Sequence, residues 1–370
     1  MNSKNTSLLY PFFDSAFPIN SSISTSIAEG VYRLAKKLSG FSTESIAISS
    51  YMKHYFGGYV QYLSGTLQRY SYLLKLAIGE LNLPLENMVF LDYGGGSGIL
   101  SLLAKEVGIG FVAFNDFYES SCQDARLIAQ HLNLEADIYI SGDIDQVIQT
   151  FKREGIKQCT SIASYDVIEH IYNIDYFLSH VTELMAPRSL MVMQTTANPR
   201  NPFINYQRKK YQKLLEYHDR TGDSGNKESD SLKAYFTLRQ EIIKEYAQGQ
   251  LNDREVVNLS KATRGLRIDD IQKIVDDYLK FKTIPQPLSH PTNTCDPLTG
   301  NWAEHLLNPA YFVKMLEKQK LSVEILSGYY SDGKNRNINH FKKILNYLIY
   351  ISKQKFLNIS SSYIVYALKQ

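Results

Sequence analysis

The run Met88–Gly98, MVFLDYGGGSG, constrains the fold more than any other stretch of the chain. Val89, Phe90 and Leu91 read as a strand buried on both faces. The strand runs into Asp92, and Gly94, Gly96 and Gly98 follow at alternate positions. Ile99–Val107 then repeats apolar residues at helical spacing. Strand, glycine turn and helix in this order make a cradle for a nucleotide. Glycine lets the backbone approach a ligand where a Cβ would collide, and the helix N-terminus offers free N–H groups. Nicotinamide enzymes use a similar turn, so the downstream sequence has to decide the ligand.

Short apolar runs and amphipathic segments alternate after the turn. The expected strands are Met88–Tyr93, Phe111–Asp116, Ala136–Ser141, Ser161–Val167 and Leu190–Thr195. Strands separated by helices at this spacing build a parallel sheet covered on both faces. The pattern breaks between residues 199 and 300. That stretch is polar and helix-rich, carries a soft loop at Thr221–Ser229, and reads as an insertion over the ligand edge. A helix at Pro309–Lys320, a strand at Leu321–Tyr329, a helix near Asn339–Lys353 and a strand at Ser361–Ala367 follow. Residues 1–85 read as helical, with Tyr51, Tyr55, Tyr59 and Tyr62 in one stripe. The expected organisation is a helical cap at 1–85, a sheet domain at 86–198 and 301–370, and a helical lid at 199–300.

Composition excludes several classes. The 44% hydrophobic content suits a globular core, and a net charge of +3 is too small to argue for nucleic acid or an anionic membrane. Cys122, Cys159 and Cys295 are far apart and odd in number, so they read as free thiols in a reducing compartment without zinc spacing. The start MNSKNTSLLY lacks the features of a signal peptide, and no apolar stretch approaches the ~20 residues that span a bilayer. A cytoplasmic protein is expected.

The motif order resembles that of class I S-adenosylmethionine (SAM)-dependent methyltransferases. Within them it is most similar to small-molecule enzymes of the ubiquinone-biosynthesis O-methyltransferase type. The resemblance covers roughly residues 85–198 and 300–368. LDYGGGSG is similar to the family's first motif, which implies that Asp92, Gly94, Gly96 and Gly98 hold the methionine part of the cofactor. FNDFYESS implies Asp116 as the ribose ligand, and SGDI implies Asp143 at the adenine amino group with Ile144 on the ring. SYDVIEHI and LMAPRSLMVMQTTAN are similar to the segments at strands four and five. The closing helix–strand–helix–strand resembles the family's antiparallel seventh strand, which nicotinamide folds lack. The implied fold is α/β: a Rossmann-like seven-stranded sheet with a helical N-terminal region and a large helical insertion after strand five. Three departures stand out. Tyr93 replaces the usual aliphatic residue, Gly95 makes the turn unusually small, and Arg188–Ser189 replaces a double glycine.

Candidates for the reaction centre come from the ends of strands four and five. Tyr165 and Asp166 end strand four, and Asn198 follows strand five. A helix beginning near Asp166 would set Asp166, Glu169 and His170 on one face, at i, i+3 and i+4. That is metal-ligand spacing, but an acid in the first turn and a satisfied buried histidine explain it equally, and no metal is expected. His170 and Asp166 are the candidate general bases. Asn198 is either a substrate contact or a turn-forming Asn before Pro199. The polar run Asn293–His305 holds the only tryptophan, Trp302, and His305 joins the candidate set. In Thr263–Ile271, Asp269 reads as a helix cap. The tyrosine stripe reads as core, with one or two rings available to close over a cation.

The chemistry expected is methyl transfer from SAM to an O, N or C nucleophile of a small metabolite, without nucleic-acid or membrane partners. Oligomeric state is left open. Two rivals remain. One is attack on the aminobutyrate arm of SAM, including closure to azetidine-2-carboxylate, which releases methylthioadenosine. The other is a non-catalytic SAM-binding module.

Overall fold

The computed structural model describes residues 8–10, 21–220, 231–333 and 336–370. The soft loop expected at Thr221–Ser229 lies outside them. Three helices open the described chain: α1 (Ser21–Ser39), α2 (Ser50–Gln61) and α3 (Leu63–Ile78). The alternating region follows with β1 (Val89–Tyr93), α4 (Ile99–Val107), β2 (Phe111–Asp116), α5 (Glu119–Leu132), β3 (Ile138–Ser141) and α6 (Ile144–Arg153). β4 (Cys159–Tyr165), α7 (Ile174–Val181) and β5 (Met185–Thr195) complete it. Then come α8 (Pro202–Tyr217), α9 (Tyr235–Ala247), α10 (Asp253–Ala262) and α11 (Ile268–Phe281). The last elements are α12 (Pro309–Lys318), β6 (Leu321–Ser327), α13 (Arg336–Ile351) and β7 (Tyr363–Lys369).

The seven strands form one sheet in the order β3-β2-β1-β4-β5-β7-β6. β1 to β5 run parallel, and β7 lies antiparallel between β5 and β6. This is the Rossmann-like methyltransferase fold. The strand order reverses between β1 and β4, and open α/β sheets bind ligands at the carboxyl ends beside such a reversal.

Two compact units divide the chain. A sheet unit takes the described parts of Met1–Val167, Asp175–Thr196 and Pro309–Gln370. A helical unit takes Ile168–Ile174 and the described parts of Ala197–Asn308. The core of the sheet unit runs from Ile27, Leu34 and Leu38 of α1 through Leu73 and Leu76 of α3 to Phe90 and Val112 of the strands. α3 is buried almost all round, as a helix covered on both sides must be. The helical unit has a smaller apolar core from α9 to α11, around Ile243, Leu259, Ile271 and Val275.

Three local expectations need correction. No helix starts near Asp166: residues 166–173 are irregular, and α7 begins at Ile174. Asp166 itself takes a left-handed φ of 54°, which breaks strand four two residues earlier than expected. Asp269 does not cap α11; Arg267 occupies the cap, and Asp269 with Asp270 lies in the first turn, where acids favour the helix dipole. Ends of the other elements differ from expectation by a few residues, as fraying ends do.

Candidate functional site

The glycine turn is built by β1, β2 and α4. Gly94, Gly96 and Gly98 take φ of 69°, 55° and 79°, a region that disfavours side chains. A Cβ on Gly94 would stand 2.5 Å from the Val167 methyl, and one on Gly95 would stand 2.5 Å from the Phe114 ring. Those two glycines are demanded by packing. Gly96 is different: a Cβ there would only reach ordinary contact with the Tyr55 ring, at 3.5 Å. The turn therefore opens at Gly96, under Tyr55. Ser97 beside it is buried, and its Oγ has no hydrogen-bond partner among the described residues.

Acids ring the turn. Asp116 accepts the Gly96 N–H at 3.0 Å on one carboxylate oxygen and the Tyr118 N–H at 3.0 Å on the other. A carboxylate accepts about four hydrogen bonds, so capacity for a diol remains. Asn115, one residue earlier, holds the Ile140 and Gly142 carbonyls at 3.0 Å each and ties β2 to the end of β3. Asp92 is buried and accepts the N–H and hydroxyl of Ser101 at 3.1 and 2.7 Å. Burial pushes its pKa up to about 7 against the pull of those two bonds. Asp143 caps α6: its carboxylate accepts the Asp145 N–H at 2.9 Å, and Gln146 returns a bond to its backbone. Ile144 is buried next to it. Burial, together with the charges of Asp143 and Asp116, raises the pKa of the Tyr93 hydroxyl.

A row of tyrosines leads from the turn to the end of β4. Tyr51 stacks on Tyr55 with centroids 5.4 Å apart, and Tyr55 meets Tyr59 edge-on at 4.9 Å. Tyr59 donates its hydroxyl proton to the Tyr55 oxygen at 2.8 Å. The row continues to Tyr70 at 5.9 Å and from there to Tyr165 at 5.5 Å. Burial and the Asp166 charge raise the Tyr165 pKa, while the Arg69 guanidinium lowers it. Arg69 donates to the Ser331 hydroxyl at 3.0 Å, and its buried Nε has no partner among the described residues. Asp166 joins strand ends: its N–H reaches the Gln194 carbonyl at 2.9 Å and its carboxylate takes the Thr196 N–H at 2.7 Å.

The remaining candidates belong to the helical unit. Asn198 is buried, and its Oδ1 accepts the Arg200 N–H at 3.0 Å, the turn expected before Pro199. His170 and Trp302 bond twice: the Trp302 N–H donates to the His170 carbonyl at 3.1 Å, and His170 Nδ1 donates to the Trp302 carbonyl at 2.7 Å. His305 sits between Trp302, 4.5 Å away, and His290, 4.3 Å away. Its Nδ1 donates to the Thr292 carbonyl at 2.6 Å. Burial and the neighbouring His290 hold its pKa down at about 4, so it is neutral and Nε2 carries a free lone pair. Glu169 and His170 pair with the 302–305 stretch, so the helical spacing that joined them to Asp166 as metal ligands lapses.

Residues 62–237 match the model of a family described as a methyltransferase domain. That stretch is similar to a methyltransferase domain, and the methyl donor of the class I family that the sequence resembles is SAM. The cradle fits that donor, since it offers an open glycine, an unpartnered Ser97 hydroxyl and an acid at the end of β2. No curated protein matches the chain. Among solved structures it is similar to TrmN from Thermus thermophilus, at 22% identity over 35% of this chain and 38% of that one, with a TM-score of 0.28. It is also similar to the plantazolicin methyltransferase BpumL in complex with SAH, at 12% identity over 95% and 100% of the two chains and a TM-score of 0.39. PKMT2 from Rickettsia typhi, in complex with AdoHcy, gives 13% identity, coverage of 81% and 52%, and a TM-score of 0.38. The chain thus spans 38% of the first of these proteins, and the superpositions are too loose to transfer residue roles.

Sequence reasoning on the methyltransferase domain missed Ser101, Tyr70 and Arg69. Ser101 left one signal, a hydroxyl on an otherwise apolar helix face (Ile99–Ala104). Tyr70 and Arg69 left none, because only packing of α3 against α2 and β4 joins them to the stripe.

Proposed function

We propose that the protein transfers the SAM methyl group to an O, N or C nucleophile of a small metabolite, in the manner of the ubiquinone-biosynthesis O-methyltransferases. The observation that carries this reading is the tyrosine row from Gly96 to Tyr165, which starts at the cradle and ends where the sheet opens. SAM supplies a methyl carbon made electrophilic by its sulfonium. Asp92, Gly94, Gly96, Gly98 and Ser97 hold the amino-acid part of SAM, Asp116 the ribose, and Asp143 with Ile144 the adenine. Aromatic faces favour a cation by about 0.5–2 kcal/mol, and the row keeps water from it. Tyr165, Asp166 and the free donor of Arg69 orient the acceptor. Asn198, His170 and His305 belong to the acceptor side, with His305 Nε2 as a weak proton acceptor. Methyl transfer needs mainly alignment, which is worth about 7–11 kcal/mol. Residues 1–85 serve as cap, 86–198 and 301–370 as the catalytic domain, and 199–300 as lid, in a cytoplasmic protein.

The test is product analysis after incubation with SAM and candidate acceptors. S-adenosylhomocysteine is expected, and methylthioadenosine in its place would overturn methyl transfer. Asp116→Ala should weaken SAM binding by about 1.5–3 kcal/mol, the range for bonds to a charged group. Calorimetry finding unchanged affinity would remove Asp116 from the site.

A further inference from the structure

α13 turns its apolar side outward. Asn346 and Ile349 are buried and fix the helix to the sheet unit; Asn346 accepts the Tyr330 N–H at 2.7 Å and donates to the Tyr330 carbonyl at 2.9 Å. On the far side Phe341, Ile344, Tyr347 and Ile351 are 60, 60, 54 and 56% exposed. At 100° per residue these side chains and Leu348 fall on one stripe. Large apolar side chains set side by side in solvent mark a contact surface, whereas scattered ones do not.

Charge identifies what the surface meets. From residue 336 to residue 370 the chain carries Arg336, Lys342, Lys343, Lys353, Lys355 and Lys369, and no Asp or Glu. Lys342 donates to the Ser331 carbonyl, Lys355 pairs with Glu324, and Lys369 donates to the Thr182 and Met185 carbonyls. Lys343 and Lys353 are exposed at the border and end of the stripe. The whole-chain balance of +3 averages over this segment and conceals it. Among the described residues no helix is long and apolar enough to cross a membrane.

We propose that α13 docks on an anionic lipid surface, lying in the headgroup plane with Phe341, Ile344 and Ile351 turned toward the acyl chains. An apolar stripe bordered by lysine is the pattern that lies on, and does not span, a bilayer. A second copy of the chain is the poorer occupant. A two-fold contact through this face would gather the lysines of both copies in one interface with no acid on either helix to answer.

Sedimentation of the full chain with vesicles tests this. Vesicles of phosphatidylcholine plus phosphatidylglycerol should pellet the protein, and phosphatidylcholine alone should pellet much less. Lys343→Gln with Lys353→Gln should weaken binding by about tenfold or more, and added salt should do the same. Phe341→Glu with Ile344→Glu should abolish pelleting while leaving the melting curve and methyl transfer to a soluble acceptor unchanged. The lysine variant keeps the test valid if the glutamate variant fails to fold. Three results would overturn the proposal: no pelleting by either vesicle, equal pelleting of the glutamate variant when folded, or a dimer in light scattering that this variant dissolves.

Discussion

The sheet unit and the helical unit handle buried charge in different ways. In the sheet unit Asp92 is buried with only the N–H and hydroxyl of Ser101 for hydrogen-bond partners among the described residues, and burial moves its pKa to about 7. Burial there favours the protonated acid, against the two bonds from Ser101 that favour its charge. In the helical unit the Glu216 and Arg239 side chains are 1% and 0% exposed and form an ion pair. Thr294 donates to Glu216 at 3.3 Å, Arg264 donates to Thr294 at 2.8 Å, and Arg239 also donates to the Ser260 carbonyl at 3.0 Å. The difference follows from what each unit has to bury. Parallel strands supply continuous apolar faces, and a single acid can sit at their edge. The helical unit has a modest apolar core, so a polar network fixes α8, α9 and α10 to the 292–305 stretch. Such pairs specify a geometry more than they stabilise it.

The largest effect should come from breaking that pair. Arg239→Met leaves the buried Glu216 with only the more distant Arg264 guanidinium, 3.8 Å away, and should cost about 3–5 kcal/mol in urea unfolding. Hydrogen exchange should rise in α8–α11 and stay low in β1, β4 and β5, because only one unit loses its tie. Arg239→Met combined with Glu216→Leu should recover most of the loss. A cost below about 1 kcal/mol for the single variant would mean that water or another residue serves Glu216, and the contrast between units would fail.

Smaller effects separate the units by pH. For Asp92 the folded pKa of about 7 lies above the ordinary 3.8, so the folded state binds the extra proton. Its contribution is full below about pH 4 and is lost as pH rises toward 7. For His305 the folded pKa of about 4 lies below the ordinary 6.5, so the unfolded chain binds the extra proton. Its contribution is full above about pH 6.5 and is lost as pH falls toward 4. Each slope should be worth up to about 3–4 kcal/mol. Urea midpoints between pH 4 and 8 read both. Asp92→Asn should remove the decline toward neutral pH, and His305→Gln the decline toward acid. Two variants that flatten the same limb would break the assignment.

The same division governs what the sequence disclosed. Strands β1 to β5, their order and the glycine turn were legible, because an apolar run, a glycine spacing and a helical repeat are local patterns. Asp143 is legible as an acid after strand three, and its capping box with Gln146 is a local pattern as well. The segment after β4 misled. Asp-Val-Ile-Glu-His has helical spacing, but Asp166 adopts a left-handed φ of 54° to meet the Thr196 N–H, and Glu169 and His170 pair with residues 302–305. That pairing spans over 130 residues and has no local trace. The buried pair of Glu216 and Arg239 was invisible for the same reason. The outward stripe on α13 was in the sequence, but a periodic helix without coordinates does not say which face is covered.

The smallest expected effect tests the backbone where each unit departs from glycine. In the sheet unit Arg188, which replaces a glycine of the motif that the sequence resembles, takes a φ of 56° and is exposed where β5 shifts register against β4. In the helical unit Gln248 ends α9 with a φ of 47°. A left-handed conformation costs a side-chain-bearing residue about 1–2 kcal/mol, and glycine returns part of that gain as entropy in the unfolded chain. Arg188→Gly and Gln248→Gly should therefore each stabilise by only about 0.5 kcal/mol. Arg188→Ala and Gln248→Ala should gain nothing, since alanine keeps the Cβ that clashes. Paired urea midpoints for the four variants decide it. An alanine gain equal to the glycine gain would trace the effect to the lost side chain, and the departure at Arg188 would then carry no backbone penalty.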